Sequence, residues 1–163
     1  MIHAGAILAV LMLLAVANGI PVAARKLLGD RFDTRVDGGA RLPDGQPVFG
    51  QSKTIRGIVL SISGTALVAG LAGLGWATGA EVAAASMAGD LLSSFLKRRF
   101  RYDVHARCFG LDQIPESLIP MLAFHRELHL SGADVAIAVV AFLVLELLLS
   151  RLLFRLHIRD RPW

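Results

Sequence analysis

Four polar residues between positions 90 and 97 recur at the spacing of one helix face. Asp90, Ser93, Ser94 and Lys97 lie three or four residues apart, so a helix would align them in a single stripe. A carboxylate among apolar residues is costly in a membrane and usually faces a cavity or a partner. We therefore predict that Asp90 is an oxygen ligand for Mg²⁺, with Lys97 and Arg98 contacting phosphate groups.

A second polar cluster, in the sequence FGQSKT, precedes an apolar stretch. It places Lys53 and Thr54 at the start of a predicted helix, where free backbone amides and the helix dipole favour anions. Lys53 and Arg56 would share one face of the first turn. The segment lacks the G-x-x-x-x-G-K-[ST] pattern of a P-loop. Two alternatives stay open: Asp90 pairs with Lys53 or Arg56, or the whole segment is a basic tether facing anionic lipid headgroups.

A third cluster follows in the sequence LDQIPES. Asp112 is predicted at the mouth of an apolar span, and Pro115 just inside a helix, where its missing N–H does little harm. Glu116 lies close by. Asp90 and Asp112 could face one another across adjacent helices, at the same depth as the nearby cations. Carboxylates, a metal ion and cations around a phosphate are typical of nucleotidyl or phosphoryl transfer.

The segments that carry these clusters are apolar enough for a membrane. Of the 163 residues, 55% are hydrophobic, and the mean hydropathy is +0.59, which is unusual for a soluble domain. The sequence predicts an all-α, polytopic integral membrane protein in a single domain over residues 1–163. About five transmembrane helices are expected, at residues 2–24, 57–80, 81–97, 111–125 and 135–149.

The cations alternate along the predicted spans. Seven Lys and Arg lie between spans one and two, none before span three, five before span four, one before span five and four after it. This positive-inside pattern predicts a multi-pass protein of the cell (inner or plasma) membrane. Its N-terminus would be outside, with its C-terminus and the loops 25–56 and 98–110 in the cytoplasm. The net charge of +4 is then explained without a nucleic-acid partner.

Other residues of the spans predict packing rather than chemistry. Small residues allow helices to approach closely, within the subunit or in a homodimer, and span two is rich in them. Five of its glycines are Gly64, Gly70, Gly73, Gly75 and Gly79. Glu146 lies midway along span five, where we expect a hydrogen bond facing the bundle. The first span has no basic residue before Arg25, so we expect an uncleaved helix and not a signal peptide.

The sequence motifs resemble those of the CDP-archaeol synthase family, whose wider relatives are the phosphatidate cytidylyltransferases. The resemblance covers most of the chain and rests on four stretches: NGIPV at 18–22, DGQPVFGQSKTIRG at 44–57, GDLLSSFLKRR at 89–99 and LDQ at 111–113. It implies a five-helix membrane enzyme that joins CTP to a lipid phosphate in the presence of Mg²⁺. The products would be a CDP-lipid and pyrophosphate.

The resemblance also implies roles for individual residues. Asp90 and Asp112 would be the metal-site carboxylates and, with Lys97, the catalytic residues. The phosphate-binding set is Lys53, Thr54, Arg56, Ser94 and Arg98, and the supporting polar groups are Asn18, Asp44 and Glu116. The family pattern L-D-Q-x-D has a second aspartate where this chain has Pro115. Glu116 follows directly and could replace that aspartate in a shifted register.

Three functions therefore remain open from the sequence. The first is a CTP-dependent cytidylyltransferase acting on a lipid phosphate. The second is a non-catalytic family member that binds nucleotide or lipid headgroups, which Pro115 in the motif favours. The third is a small transporter, which would need paired half-helices or an inverted repeat, and the sequence shows neither.

Overall fold

Five helices make up the regular structure of the residues that the structure describes. The computed structural model describes residues 2–102, 108 and 110–156. Its helices are α1 (Ala4–Leu28), α2 (Ile55–Leu71), α3 (Trp76–Arg99), α4 (Gln113–Ala123) and α5 (Gly132–Arg155). Across the described residues there is no strand, and the loop between α1 and α2 holds two isolated antiparallel bridges. The predicted all-α class is confirmed.

The predicted second span, 57–80, is wrong in its extent. Helix α2 ends at Leu71 and α3 begins at Trp76, so the charge-free window contains a helix–turn–helix break. Gly73 and Gly75 in the turn have φ values of +74° and +89°, which only glycine adopts without strain. Hydropathy could not locate this break, because every residue of the turn is uncharged.

Helices α1 and α3 also extend into the loops that were predicted to follow them. Helix α1 continues through Leu28 and α2 begins at Ile55, so the first loop is 29–54 and not 25–56. Basic residues in the last turn of a helix are compatible with its dipole, which is why the first cations did not mark the helix end. Helix α3 likewise continues to Arg99, two residues into the predicted loop 98–110. Residues 103–107 and 109 of that loop lie outside the described residues.

Helices α1 and α2 pack closely at the end of the bundle that carries the first loop. Pro21 lies inside α1 and has no N–H for the carbonyl of Ala17, four residues earlier. The hydroxyl of Ser61 in α2 donates to that carbonyl at 2.7 Å. A Cβ on Gly57 would lie 3.4 Å from Pro21, so this part of α2 runs directly over the proline.

Small residues also bring α2 against α3. A Cβ on Gly79 would lie 2.6 Å from the carbonyl oxygen of Thr65 and 2.4 Å from the Cβ of Ala69. Gly64 similarly lies under the side chain of Ile20 in α1. These glycines of the predicted second span therefore pack within the subunit.

The interior and the outer surface of the bundle are both apolar. A compact apolar core joins α1, α3, α4 and α5 through Leu13, Leu14, Val82, Met121 and Phe142. The outer face of α5 is apolar as well, with Val140, Val144, Leu148 and Leu152 exposed at helical spacing. A large exposed apolar face marks a lipid or protein contact.

Two helices of the described chain are long and apolar enough to cross a membrane. They are Ala4–Leu28 and Gly132–Leu152, judged by length and composition. Helix α2 is apolar but shorter, and the 11 residues of α4 fall short of the roughly 20 that span a hydrocarbon core. The count of five spans therefore stays a prediction.

Candidate active site

Lys53 and Asp90 form an ion pair where the first loop meets α3. The ammonium of Lys53 lies 2.6 Å and 2.5 Å from the two carboxylate oxygens of Asp90. Each side chain is 21% exposed. Burial alone would lower the pKa of Lys53, but the carboxyl groups of Asp90 and Glu116 outweigh it and raise that pKa. Lys53 therefore stays cationic at neutral pH, and the pairing that the sequence left open is present.

Local backbone structure holds Lys53 in place. The N–H of Val36 donates to the carbonyl of Lys53 at 2.9 Å, and the N–H of Ile55 donates to the carbonyl of Thr34 at the same distance. Thr54 is the N-cap of α2, because its hydroxyl accepts the N–H of Gly57 at 3.1 Å. A capped helix and a short antiparallel pairing thus fix the backbone on both sides of the lysine.

The ion pair lies in a cleft of about 490 Å³, part of it open to solvent. The end of α1, the first loop, the start of α2 and the middle of α3 form its walls. Its charged lining residues are Arg25, Asp33, Lys53, Arg56 and Asp90. Three cations, two carboxylates and nearby loop amides make an environment suited to a phosphorylated ligand with a bound cation.

Arg56 lines this cleft but is already engaged by the protein. Its guanidinium donates to the carbonyl oxygens of Gly29, at 3.0 Å, and of Arg31. It also lies 3.3 Å from the carboxylate of Asp33. Arg56 therefore fastens the end of α1 to the start of α2, in addition to its predicted role as a phosphate ligand.

A second group of predicted residues lies where α3 crosses α4. Glu116 is buried, and its side chain lies next to that of Asp90. Asp112 instead pairs with Lys97, at 2.7 Å. The carboxyl group beside Asp90 is thus that of Glu116. Asp112 also lies near enough to help raise the pKa of Lys53, and the facing of Asp90 and Asp112 stays a prediction.

The close crossing of α3 and α4 explains this arrangement. A Cβ on Gly89 would lie 2.3 Å from the carbonyl oxygen of Pro115 and 2.8 Å from the amide nitrogen of Glu116. The backbones touch there, so Glu116 lies beside Asp90, the next residue of α3. Pro115 thus occupies a packing position at the crossing.

The remaining predicted residues lie around the cleft and not in its lining. Ser94 and Arg98 are buried at 4% and 2% exposure. Asn18 donates to the hydroxyl of Ser86 at 3.2 Å and so connects α1 to α3. Asp44 pairs with Arg99 and accepts the N–H of Gln46, which attaches the tip of the first loop to the end of α3.

Sequence reasoning missed three residues of this region. Arg25 and Asp33 line the cleft, and Asp37 accepts hydrogen bonds from the N–H groups of Phe49 and Gly50. The position of Arg25 as the first cation after an apolar span was a usable signal. Asp33 and Asp37 gave none, because both lie among turn residues whose local sequence favours simple loop solvation.

The donor set around Asp90 fits a magnesium ion. Carboxyl oxygens of two residues in contact are the hard ligands that Mg²⁺ prefers, and it completes its coordination with substrate phosphates and water. The part of the chain that the structure describes holds no cluster of three or more Asp, Glu, His or Cys arranged around a metal. A site of this kind would depend on the phosphates of the substrate.

Known proteins are similar to this chain in sequence. The family model described as CarS-like, CDP-archaeol synthase, matches residues 74–163. The CDP-archaeol synthase of Hyperthermus butylicus is 31% identical over 96% of this chain and 94% of its own length. That of Pyrobaculum calidifontis is 30% identical over 91% of both chains.

A solved structure supports the same assignment. It is described as an intramembrane enzyme for archaeal membrane lipids biosynthesis, and it is 27% identical with a TM-score of 0.66. The match covers 83% of this chain and 89% of that one. The helical bundle, its charged cleft and these matches define the class of the protein, a CTP-dependent cytidylyltransferase of the membrane. Within that class, the chain belongs to the CDP-archaeol synthase family.

Proposed function

We propose that the protein transfers the cytidylyl group of CTP to the phosphate of an archaeal-type lipid, giving a CDP-lipid and pyrophosphate. The observation that carries this proposal is the ion pair of Lys53 with Asp90 inside a cleft lined by further cations. An oxygen of the lipid phosphate attacks the α-phosphorus of CTP, and the bond to the pyrophosphate group breaks. The lipid phosphate is itself the nucleophile, so the reaction requires none from the protein.

The protein contributes charge and position to this reaction. Lys53 and Arg25 face the cleft and are placed to neutralise phosphate oxygens as charge moves to the leaving group. Lys97, Arg98 and the N-terminal turn of α2 at Thr54 belong to the same proposed phosphate-binding set. Arg56 has a double role, because it also secures the end of α1.

Asp90 and Glu116 are the residues that would hold Mg²⁺, with Asp112 close by. When bound, the metal ion would neutralise phosphate charge and orient the triphosphate. Lys53 contacts both oxygens of the Asp90 carboxylate, so it fixes the orientation of that group. Asn18, Ser94 and Asp44 support the arrangement from the surrounding structure.

The proposed arrangement in the membrane has five spans. The N-terminus is outside, and the first loop and the C-terminus are in the cytoplasm. This orientation follows because most Lys and Arg residues lie in the first loop, after α3 and at the C-terminus. The cleft then opens on the side where CTP is available. The apolar outer faces of the helices contact the bilayer. The lipid phosphate then reaches the cleft by lateral diffusion within the bilayer.

A panel of lipid phosphates tests the reaction. Purified protein in detergent receives Mg²⁺, CTP and one of three lipids: an archaeal-type ether lipid phosphate, phosphatidic acid or a polyprenyl phosphate. Mass spectrometry then identifies any CDP-lipid. We expect product from the ether lipid phosphate at the highest rate. Folded protein that forms no CDP-lipid from any member of the panel would refute the proposal.

A further inference from the structure

Asp37 makes an unusual number of backbone hydrogen bonds within the first loop. One of its carboxylate oxygens accepts the N–H groups of Phe49, at 3.0 Å, and Gly50, at 3.1 Å. The other accepts the N–H of Gly39 at 2.9 Å. Hydrogen bonds to a charged acceptor are roughly twice as strong as neutral ones. Asp37 therefore fixes the beginning of the segment 49–53.

The end of that segment is fixed by the residue next to Asp37. The N–H of Val36 donates to the carbonyl of Lys53 at 2.9 Å. Inside the segment, the N–H of Lys53 donates to the carbonyl of Gly50 at 3.3 Å. Residues 36 and 37 thus hold the segment at both of its ends, and the side chain of Lys53 extends from it to Asp90.

We propose that Asp37 is a positioning residue for Lys53: its carboxylate holds the segment 49–53 so that the lysine ammonium stays at Asp90. Asp37 does not line the cleft, so it acts through the backbone and not on the substrate. The electrostatics agree. Burial alone would raise the pKa of Asp37, but the amides of Phe49, Gly50 and Gly39 outweigh it and lower that pKa.

The reactivity of the lysines tests this proposal directly. The chain has three, Lys26, Lys53 and Lys97, which a water-soluble acylating reagent modifies in the folded protein and peptide mass spectrometry quantifies. Lys26 is exposed and serves as the internal reference. In Asp37→Asn we expect Lys53 to react about tenfold faster relative to Lys26. This factor corresponds to the loss of one charge-assisted hydrogen bond that holds the segment in place. Lys97, held by Asp112, should not change.

A matched control tests whether the labelling of Lys53 depends on which aspartate of the loop loses its charge. Asp30 is an exposed aspartate of the same loop, so Asp30→Asn removes the same charge and should leave the labelling of Lys53 unchanged. Equal labelling of Lys53 in Asp37→Asn and Asp30→Asn would overturn the proposal. If Asp37→Asn does not fold, Gly50→Ala replaces it, because Gly50 has a φ of +100° that strains any L-residue. Unchanged labelling in folded Gly50→Ala would overturn the proposal equally.

The link to turnover rests on the proposed function and is measured separately. We expect Asp37→Asn to lower kcat about tenfold with a smaller change in the KM for CTP, and Asp37→Glu, which keeps the charge, to restore part of it. A normal kcat together with raised Lys53 labelling would overturn the catalytic half of the inference. Slow labelling of Lys53 in a wild-type protein that turns over no CTP would refute the proposed reaction and uphold the positioning.

Discussion

Lys53 is the residue on which several observations converge. It contacts Asp90, lines the cleft and keeps its charge because the surrounding carboxyl groups raise its pKa. A cation fixed in this way needs no rearrangement as negative charge develops on a phosphate. Preorganised charge of this kind is usually the largest contribution to such catalysis.

Replacing this lysine should therefore cost mainly turnover. We expect Lys53→Met, which keeps the apolar stem, to lower kcat by about 10²–10³. Lys26→Met is the matched control, because it removes an exposed cation near the cleft end of α1 and should leave kcat unchanged. Pyrophosphate release measures both. A Lys53→Met variant with normal kcat would show that the lysine has only a structural role.

Pro115 offers a second experiment on a single residue. It lies in the first turn of α4, where an aspartate is favourable for the helix dipole, and its contact with Gly89 is through its backbone carbonyl. We expect Pro115→Asp to fold and to lower the Mg²⁺ concentration that gives half-maximal turnover by about threefold or more, since a carboxylate is added beside the proposed metal ligands. An unchanged Mg²⁺ requirement would indicate that Glu116 already fills that place.

The sequence predicted the types of these residues better than their partners. Asp90, Lys53 and Glu116 were all identified, but periodicity within one helix cannot reveal which residue of another helix lies opposite. The carboxyl neighbour of Asp90, Glu116, depends on the contact of Gly89 with Pro115, which is a tertiary contact. For the same reason the sequence could not show that Asp112 pairs with Lys97.

At the level of elements, the crossing of α3 and α4 determines how Asp90 meets Glu116. We expect Gly89→Ala to destabilise the protein by about 1–3 kcal/mol, because the added methyl group overlaps the backbone of Pro115. Gly5→Ala in α1 is the control, since a Cβ there meets nothing within 4 Å, and it should be neutral or slightly stabilising. Thermal unfolding in detergent compares the two. Equal unfolding temperatures would contradict the close crossing.

The first loop should respond to acid in a defined direction. The pKa of Asp37 in the folded protein is below its ordinary value of 3.8, so its stabilisation is complete above about pH 4 and is lost as the pH falls through the lowered pKa. Because Asp37 is partly exposed, we expect Asp37→Asn to cost only about 1 kcal/mol at neutral pH. That cost should shrink towards zero as the pH falls below the lowered pKa of Asp37. A cost that does not depend on pH would contradict the role of the carboxylate.

The elements themselves were predictable where apolar residues were bounded by charge. Helices α1 and α5 were found with errors of a few residues at their ends. The turn at Gly73 and Gly75 was missed because hydropathy does not change across it. The fixed conformation of the first loop was also missed. It depends on hydrogen bonds between Asp37 and backbone amides 12 and 13 residues away.

The whole molecule combines an apolar outer surface with polar groups in its interior. Ser61, Thr65, Ser86 and Ser117 are fully buried, whereas Val140 and Leu148 are exposed. This distribution is expected of helices surrounded by lipid. The fold class and membrane character could thus be predicted from composition alone, while the number of spans could not.

The proposed orientation is testable with the single cysteine. Cys108 precedes α4 on the side we assign to the cytoplasm, so a membrane-impermeant maleimide should label it in inside-out vesicles and not in right-side-out ones. His125→Cys in a Cys108→Ser background lies at the other end of α4 and should show the opposite pattern. Labelling of both positions from the same side would contradict the topology.

The most direct test of the central claim is formation of a CDP-lipid by matched aspartate variants. Wild type, Asp90→Asn and Asp30→Asn are compared with CTP, Mg²⁺ and an archaeal-type ether lipid phosphate, after thermal unfolding has shown that all three fold. We expect wild type and Asp30→Asn to form product at equal rates, and Asp90→Asn to be slower by about 10²-fold or more. Equal rates in all three would show that the chemistry does not take place in the Lys53–Asp90 cleft.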